Sequence, residues 1–519
     1  MSTFELCAVL VAGIVVLTPL SRRLGVPQPV VITVFGVLLA LVPGVPELHV
    51  PPEHILPVVL PPLLFAATLR TSPREFRESA LPVALLAVGL TIVTAAVVAV
   101  AVHAVGLPWP AAFVLGAIVS PPDPVAATSV ARGLGLPARL VTILEGEGLF
   151  NDATALVLFQ VALSAALAGA LSPEDAAVEL VVGILGGAAI GLAGGYGARL
   201  ALARLHDATT ETTVSLVLPY AAYLLAEQVG GSGVLAVLGA GLYLRTGAAH
   251  RALTSRGWLD GRAVWRFADF ALTSLAFSFV GLELTDVLGR ADLTRESWMV
   301  LISALAAVVL TRAAWVFPAS AVLRRRSRED GVGVYGGRET AVVAWSGMRG
   351  VVTVATALAL PTTTDDGGPF PRHDDIVLTA LGVVLVTLLL QGLTLAPLVR
   401  ALHVGGAGDG HVALLTLRRR AAEAAQERLH GLREAGVDPE AVDVVAARYE
   451  AMLRAARSLH DAGQDERRQE EIAHVLEQAI DAEREALLEA RRNGSAGAEV
   501  VDEVLAEVEA RSLRQAESL

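Results

Sequence analysis

Hydrophobic and polar positions fall into long blocks along this chain, unlike the short alternation of a strand or the single stripe of a soluble helix. A bilayer core of ~30 Å needs ~20 apolar residues per helix, and runs near that length, bounded by Gly, Pro or charge, recur up to about residue 403. The pattern predicts thirteen of them, at about 4–20, 28–43, 54–69, 80–105, 109–131, 138–168, 176–203, 211–229, 232–247, 263–285, 297–322, 338–361 and 374–400. The second, third and ninth are short enough to be half-spans or tilted neighbours. Beyond residue 403 the pattern changes. Arg and Glu alternate on Ala- and Leu-rich stretches interrupted at Gly431, Gly436 to Pro439, Gly463 and Asn493 to Gly497, which predicts three or four amphipathic helices. The expected architecture is an all-α polytopic membrane domain, 1–403, followed by a helical cytoplasmic tail, 404–519, that is a solvated appendage or a regulatory or dimerising module.

Charge between the runs gives an independent reading of orientation, because cytoplasmic loops retain arginine. With the N-terminus outside, the inner loops hold Arg22 and Arg23; Arg70, Arg74 and Arg77; Arg132 and Arg139; Arg199 and Arg204; Arg245, Arg251, Arg256, Arg262 and Arg266; then Arg324 to Arg326, Arg328 and Arg338. Arg400 follows the last run, and the outer loops keep Arg290, Arg295 and Arg372. An odd number of spans, an outer N-terminus and a cytoplasmic tail follow. The first run carries Glu5 and no basic residue ahead of it, so it reads as a retained span and not as a signal peptide.

Composition supports the membrane reading: 54% of the residues are apolar, 18% are charged, and the mean hydropathy is +0.59. Of the 40 arginines, 25 precede the tail, as do 28 of the 52 acidic residues, so most of the net −12 lies in the tail. An acidic balance argues against nucleic acid as a partner. Cys7 is the single cysteine, which excludes an internal disulfide and a cysteine-ligated zinc. No lysine occurs, so every fixed cation is an arginine.

A charge at the bilayer midplane costs at least ~2.5 kcal/mol, so ionisable residues inside the runs are the functional candidates. They are Asp123, Glu147, Asp152, Asp269, Arg312, Glu339 and Arg349. Asp269, Arg312 and Glu339 fall near predicted cytoplasmic ends, where snorkelling or local pairing explains them. Asp123 lies in Ser120-Pro121-Pro122-Asp123-Pro124, and three prolines in four residues break a helix. The break frees carbonyls and half-helix ends, as at midplane ion sites of transporters. A proline kink with a capping acid is the structural alternative, and both can hold together. In the sixth run, Glu147 and Asn151 share a helical face while Glu147 and Asp152 point ~140° apart. One carboxylate can pair inside the protein while the other faces water. Asp152, beside the neutral amide of Asn151 and above Gly148, is the candidate ligand for a hard cation such as sodium. In the twelfth run Gly347 and Gly350 flank Arg349, which needs a buried anion; Glu147 is the expected partner. Both interrupted runs, seven apart, fit a duplicated unit of inverted topology. Proton carriage falls to carboxylates by elimination, since no lysine occurs, arginine keeps its proton and His103 lies near a predicted outer end; burial raises a carboxylate's pKa and a bound cation lowers it, so one Asp hardly holds both.

At these residues the chain resembles the sodium/proton exchanger family, in particular its bacterial NhaP-like members. The matching pieces are Leu60-Pro61-Pro62-Leu63-Leu64-Phe65, Asp123-Pro124-Val125-Ala126, Gly146-Glu147 with Leu149-Phe150-Asn151-Asp152, and Arg349-Gly350, spread over about residues 5–402. The resemblance implies a homodimer of thirteen-span protomers with inverted repeats and crossed broken helices at spans five and twelve, working as an elevator. It also implies that Asp152 binds and releases Na+ and H+ with help from Asp123, that Glu147 pairs with Arg349, and that the Asn151-Asp152 pair makes exchange electroneutral. Ala66 and Gly148 depart from the acidic residue and the serine that the family often has there. The expected function is monovalent cation/proton antiport, Na+ first and K+ or Li+ next, in a bacterial plasma membrane, with no cofactor. A symporter, a cation sensor without transport and an intramembrane hydrolase are the alternatives; the last lacks a deep His or Lys beside Ser120 or Ser346.

Overall fold

A computed structural model of the chain describes residues 2–45, 52–70, 84–123, 127–128, 136, 138–167, 173–246, 252–290, 294–330, 336–404, 409–435, 438–447, 449–450, 474–475, 478–487, 489, 504 and 508. They form two compact units, Met1–Gly406 and Ala407–Leu519. The first is helical nearly throughout. Its helices are α1 (Thr3–Leu24), α2 (Gln28–Ala40), α3 (Pro52–Arg70), α4 (Leu90–His103), α5 (Trp109–Val119), α6 (Ala138–Leu167), α7 (Pro173–Leu202), α8 (Ala208–Gln228), α9 (Gly233–Leu244), α10 (Ser255–Arg290), α11 (Arg295–Asp330), α12 (Gly337–Trp345), α13 (Val351–Leu358) and α14 (His373–Leu402). In the second unit α15 (Asp409–Glu434) is the long described helix.

Among the described residues every predicted apolar run contains helix; 80–83 of the fourth run and 124–126 and 129–131 of the fifth lie outside them. Among the described residues seven helices are long and apolar enough to cross a membrane by length and composition, and α2, α3, α5 and α9 are shorter apolar helices. Two of the runs are not continuous helices: the fifth stops at Val119 and the twelfth divides into α12 and α13. Two others extend well past the prediction, because α10 and α11 each run for 36 residues. Large apolar side chains stand exposed along the helices, among them Phe4, Leu185, Ile302 and Leu310, as expected of surfaces whose solvent is hydrocarbon.

Two hydrophobic clusters organise the unit. One joins α2, α4, α5 and α11 to α14, with Leu115, Ile118, Phe277, Val308 and Leu381 enclosed. The other gathers α3, α7, α8 and α9 around Phe65, Tyr223, Val237 and Trp265. Helices α6, α10 and α13 contribute to both. Helix pairs inside a bilayer gain little from burying apolar surface, so close packing of small residues must hold them. Along α7, Gly187, Gly191 and Gly195 repeat every four residues and lie on one ridge; a Cβ at the first two would stand 2.4 Å and 2.3 Å from the carbonyl oxygens of Ser232 and Ala236 at the start of α9. Gly36 of α2 and Gly281 of α10 make a second contact of this kind, where a Cβ on Gly36 would meet Ser278 O at 2.3 Å. Helix α14 is the most enclosed of the seven long helices and runs behind the broken segments.

Candidate functional site

Helix α5 stops where Pro121 and Pro122 remove two successive N–H donors, and Ser120–Asp123 continue as buried, non-helical chain. Pro124 lies outside the described residues; helix is found again at Ala127 and Thr128. The break in the other segment covers Ser346–Gly350, between α12 and α13. These two stretches meet backbone to backbone. The Asp123 amide donates to the Met348 carbonyl at 2.6 Å. Gly350 has to be glycine because a Cβ there would fall 1.7 Å from Asp123 Oδ2. The glycines flanking Arg349 therefore do more than weaken a helix. Gly347 makes the matching space on the other side, where a Cβ would reach 2.3 Å from Arg312 Cδ.

The expected Glu147–Arg349 ion pair is not what the structure contains. Glu147 is held by Arg312 of α11: Nη1 donates to Oε1 at 2.5 Å and Nη2 to Oε2 at 3.1 Å, a bidentate pair with both residues 2% exposed. The remaining donors of Arg312 reach the Val343 carbonyl at 3.2 Å and 3.0 Å, in the last turn of α12. Arg349 instead donates to backbone oxygens, from Nε to Val119 at 2.6 Å, from Nη2 to Ser120 at 3.2 Å and from Nη1 to Gly347. Its backbone N–H donates to Thr387 Oγ1 on α14 at 3.1 Å. The physical reason is that a helix end carries about half a negative charge on its unsatisfied carbonyls. The end of α5 therefore supplies the anionic surroundings for which a carboxylate was expected. Arg312 also corrects its expectation. The predicted run ended at 322, which set this residue near a membrane boundary, whereas α11 continues to Asp330 and puts it at the middle of the helix.

Glu147 and Asn151 take the same side of α6 and are both enclosed, at 2% and 0% exposure, as their four-residue spacing predicts. Asn151 Nδ2 donates to the Pro122 carbonyl at 2.8 Å, so the amide clamps the break that follows α5. Its Oδ1 is buried with no hydrogen-bond donor among the described residues, as is Thr353 Oγ1 on α13. Asp152, one position further, is partly exposed and lies within Coulombic reach of Asp123. Gly148 is buried below it. Ala66, on α3, belongs to the same apolar cluster as Ala153 and Ala355, which puts α3 alongside this region. Of the boundary residues, Glu339 pairs locally as expected: its Oε2 accepts from the Gly336 amide at 2.8 Å at the start of α12. Two acids, one buried and one half-buried, escaped the sequence reading. Glu211, 1% exposed, accepts from the Thr254 amide and hydroxyl at the start of α10. Glu283 lies within α10 inside the predicted tenth run.

The arrangement brings Asp123, Glu147, Asn151, Asp152, Arg312 and Arg349 to one place where two helices are interrupted. Residues 9–401 match the family model described as "Sodium/hydrogen exchanger, transmembrane". A Mycobacterium tuberculosis protein described as an uncharacterized Na+/H+ exchanger is 34% identical, with 85% of this chain and 82% of that protein covered. The Na+/H+ antiporter of Aphanothece halophytica is 31% identical over 73% of this chain and 70% of its own. A Bacillus pumilus protein named as a sodium, potassium, lithium and rubidium/H+ antiporter is 32% identical over 71% of this chain and 57% of its own. Among solved structures, the sodium proton antiporter NhaP1 of Methanocaldococcus jannaschii matches with a TM-score of 0.61 and 19% identity, covering 79% of this chain and all of that one. That likeness speaks for the fold.

Proposed function

This chain belongs to the sodium/hydrogen exchanger family, a family of transporters and not of enzymes, and from that premise we propose that it exchanges one monovalent cation, sodium first, for one proton, with Asp152 as the group that takes each in turn. The observation that carries the reading is the grouping of charge at the broken helices. Three carboxylates, Glu147, Asp123 and Asp152, gather with two arginines, Arg312 and Arg349. Ionised throughout, the five groups carry one net negative charge, which one proton or one monovalent cation neutralises. A second bound charge of either kind would leave the cluster positive in a medium where an uncompensated charge costs several kcal/mol. Exchange of one for one follows, and it is electroneutral.

Division of labour follows from the partners. Glu147 is committed to Arg312 and serves as structure. Asp152 is the partly exposed acid, and it competes between a proton and a cation, with Asp123 and the inward oxygen of Asn151 as further ligands. A hard cation prefers such oxygen donors. The name of the Bacillus relative favours a second reading in which potassium or lithium is accepted as well, and the lack of an acidic side chain at Ala66 fits a less selective site.

In the wider setting, the protein works as a homodimer in a bacterial plasma membrane, N-terminus outside, with residues 1–403 carrying the ion by an elevator movement and the helical tail in the cytoplasm. The test is sodium-, lithium- and potassium-dependent proton flux in liposomes containing the purified chain. Flux with sodium, lost in Asp152→Asn while the variant stays folded, supports the mechanism. Full flux in Asp152→Asn overturns the titrating-aspartate reading, and an absence of flux with every cation overturns transport.

A further inference from the structure

A buried hydroxyl needs a partner, and inside a helix the usual one is a backbone carbonyl three or four residues back. Thr356, Thr387 and Thr68 all take it, at 2.7 Å from the carbonyl oxygens of Val352, Val383 and Phe65. Thr353 does not. It is the third residue of α13, so the carbonyl four residues back belongs to Arg349, in the non-helical break, and that of Gly350 accepts from the Val354 N–H at 3.2 Å. Thr353 is 1% exposed, and its Oγ1 has no hydrogen-bond partner among the described residues. Thr33 on α2 and Thr91 on α4 share that state, so burial alone does not single Thr353 out. Its place beside the break does.

Val351, Val354 and Ala357 of α13 pack into the first hydrophobic cluster, and Val352 and Ala355 into the second. At ~100° per residue, the face left over carries Gly350, Thr353 and Thr356. Gly350 is the residue against which Asp123 Oδ2 lies. Side chains of a helix tilt toward its N-terminus, so Thr353, one turn further on, leans back toward Gly350 and Asp123. Asn151 approaches the same place from α6: its Nδ2 donates at 2.8 Å to the carbonyl of Pro122, the residue before Asp123, and its Oδ1 is the buried end of the amide without a donor among the described residues. Two neutral oxygens, one on each side, thus flank Asp123. The positive end of α13 is answered by the Asp123 carboxylate itself.

We propose that Thr353 Oγ1 is a further ligand of the transported cation, a neutral oxygen supplied by α13 opposite Asn151 Oδ1. The inference rests on the exchange reading above and names one more residue of that same site. A hard cation gives up its water for other oxygen atoms, and a hydroxyl supplies one without adding a charge that a second proton would have to balance. The ligand set then spans both interrupted segments, with Asp123 from one and Thr353 from the other.

Thr353→Val keeps the shape and removes the oxygen. Measured as sodium-dependent proton flux in liposomes, its KM for sodium should rise about five- to ten-fold while the maximal flux stays the same. Its unfolding temperature should hold or increase, because an apolar group replaces a buried hydroxyl that the fold leaves unmet. Thr353→Ser restores the oxygen and should return the KM close to that of the unaltered chain. A threonine with a structural role alone would change stability and leave the KM where it was. If Thr353→Val carries no flux, the proton released by the purified variant on addition of sodium reads the same site: a midpoint moved to higher sodium supports the assignment, and an unmoved one overturns it. An unchanged KM in Thr353→Val, or an equal rise in Thr353→Ser, overturns the assignment of this residue and leaves exchange itself standing. Absence of flux from the unaltered chain with every cation overturns the exchange reading, and this ligand with it.

Discussion

Arg312 grips Glu147 with two parallel N–H donors at 2.5 Å and 3.1 Å, both side chains enclosed, one on α11 and the other on α6. Removing one member of such a pair strands the other's charge away from water. Glu147→Leu and Arg312→Leu should each lower stability by about 3–5 kcal/mol. The double substitution should cost less than either single one, because no orphan charge remains. Thermal unfolding of the purified variants reads this directly, and additive losses would show that the two residues are not coupled.

Gly350 meets Asp123 so closely that any side chain must displace it. In Gly350→Ala the added carbon collides with Oδ2, and the Asp123 amide loses its short approach to the Met348 carbonyl. Proton flux should be abolished, with a measurable fall in the unfolding temperature. Gly289→Ala, where a Cβ meets nothing within 4 Å, is the matched control and should retain both.

Asn151 donates to the Pro122 carbonyl, and only a donor can replace it there. Asn151→Asp adds an acid whose ionised form would face that oxygen without a proton between them. The new carboxyl is expected to stay protonated and keep the hydrogen bond, so exchange remains electroneutral and slower. Transport current under an imposed voltage is the measurement; a robust current would show that the added acid ionises.

Asp207 caps α8 outside the apolar run, accepting from the Thr210 hydroxyl and backbone N–H, which hold its carboxyl below the usual carboxylate range. A depressed folded value means that the cap contributes fully above the unfolded value near 3.9 and is lost as pH falls through the folded one. Asp207→Asn keeps an effective cap without the titration. Its unfolding temperature should therefore depend less on pH in the acid range than that of the unaltered chain, and equal slopes would refute the assignment.

Both helix breaks could be read in the residues themselves, since consecutive prolines and a glycine-flanked arginine leave few conformations open to the backbone. The facing of Glu147 and Asn151 was equally legible, because it depends only on helical periodicity. Arg312 was not. Its role depends on how far α11 extends beyond its apolar run, and the charged stretch Arg324 to Asp330 gives no hydropathy signal that the helix continues. Arg349 was misread for a different reason: a guanidinium announces that it needs negative surroundings, while a truncated helix that supplies them leaves no acidic letter in the sequence. Glu211 stood at the edge of a predicted span and looked like an ordinary boundary charge, although its partners lie 43 positions away.

The glycine ridge on α7 has a mechanical meaning. Where main chain lies against main chain, no rotamers remain between the two helices to absorb sliding, and a small displacement turns contact into overlap. Helices α7 and α9 must then keep their register through any cycle, like two rails welded along one edge, and whatever shifts in this molecule has to shift across a seam lined with flexible side chains.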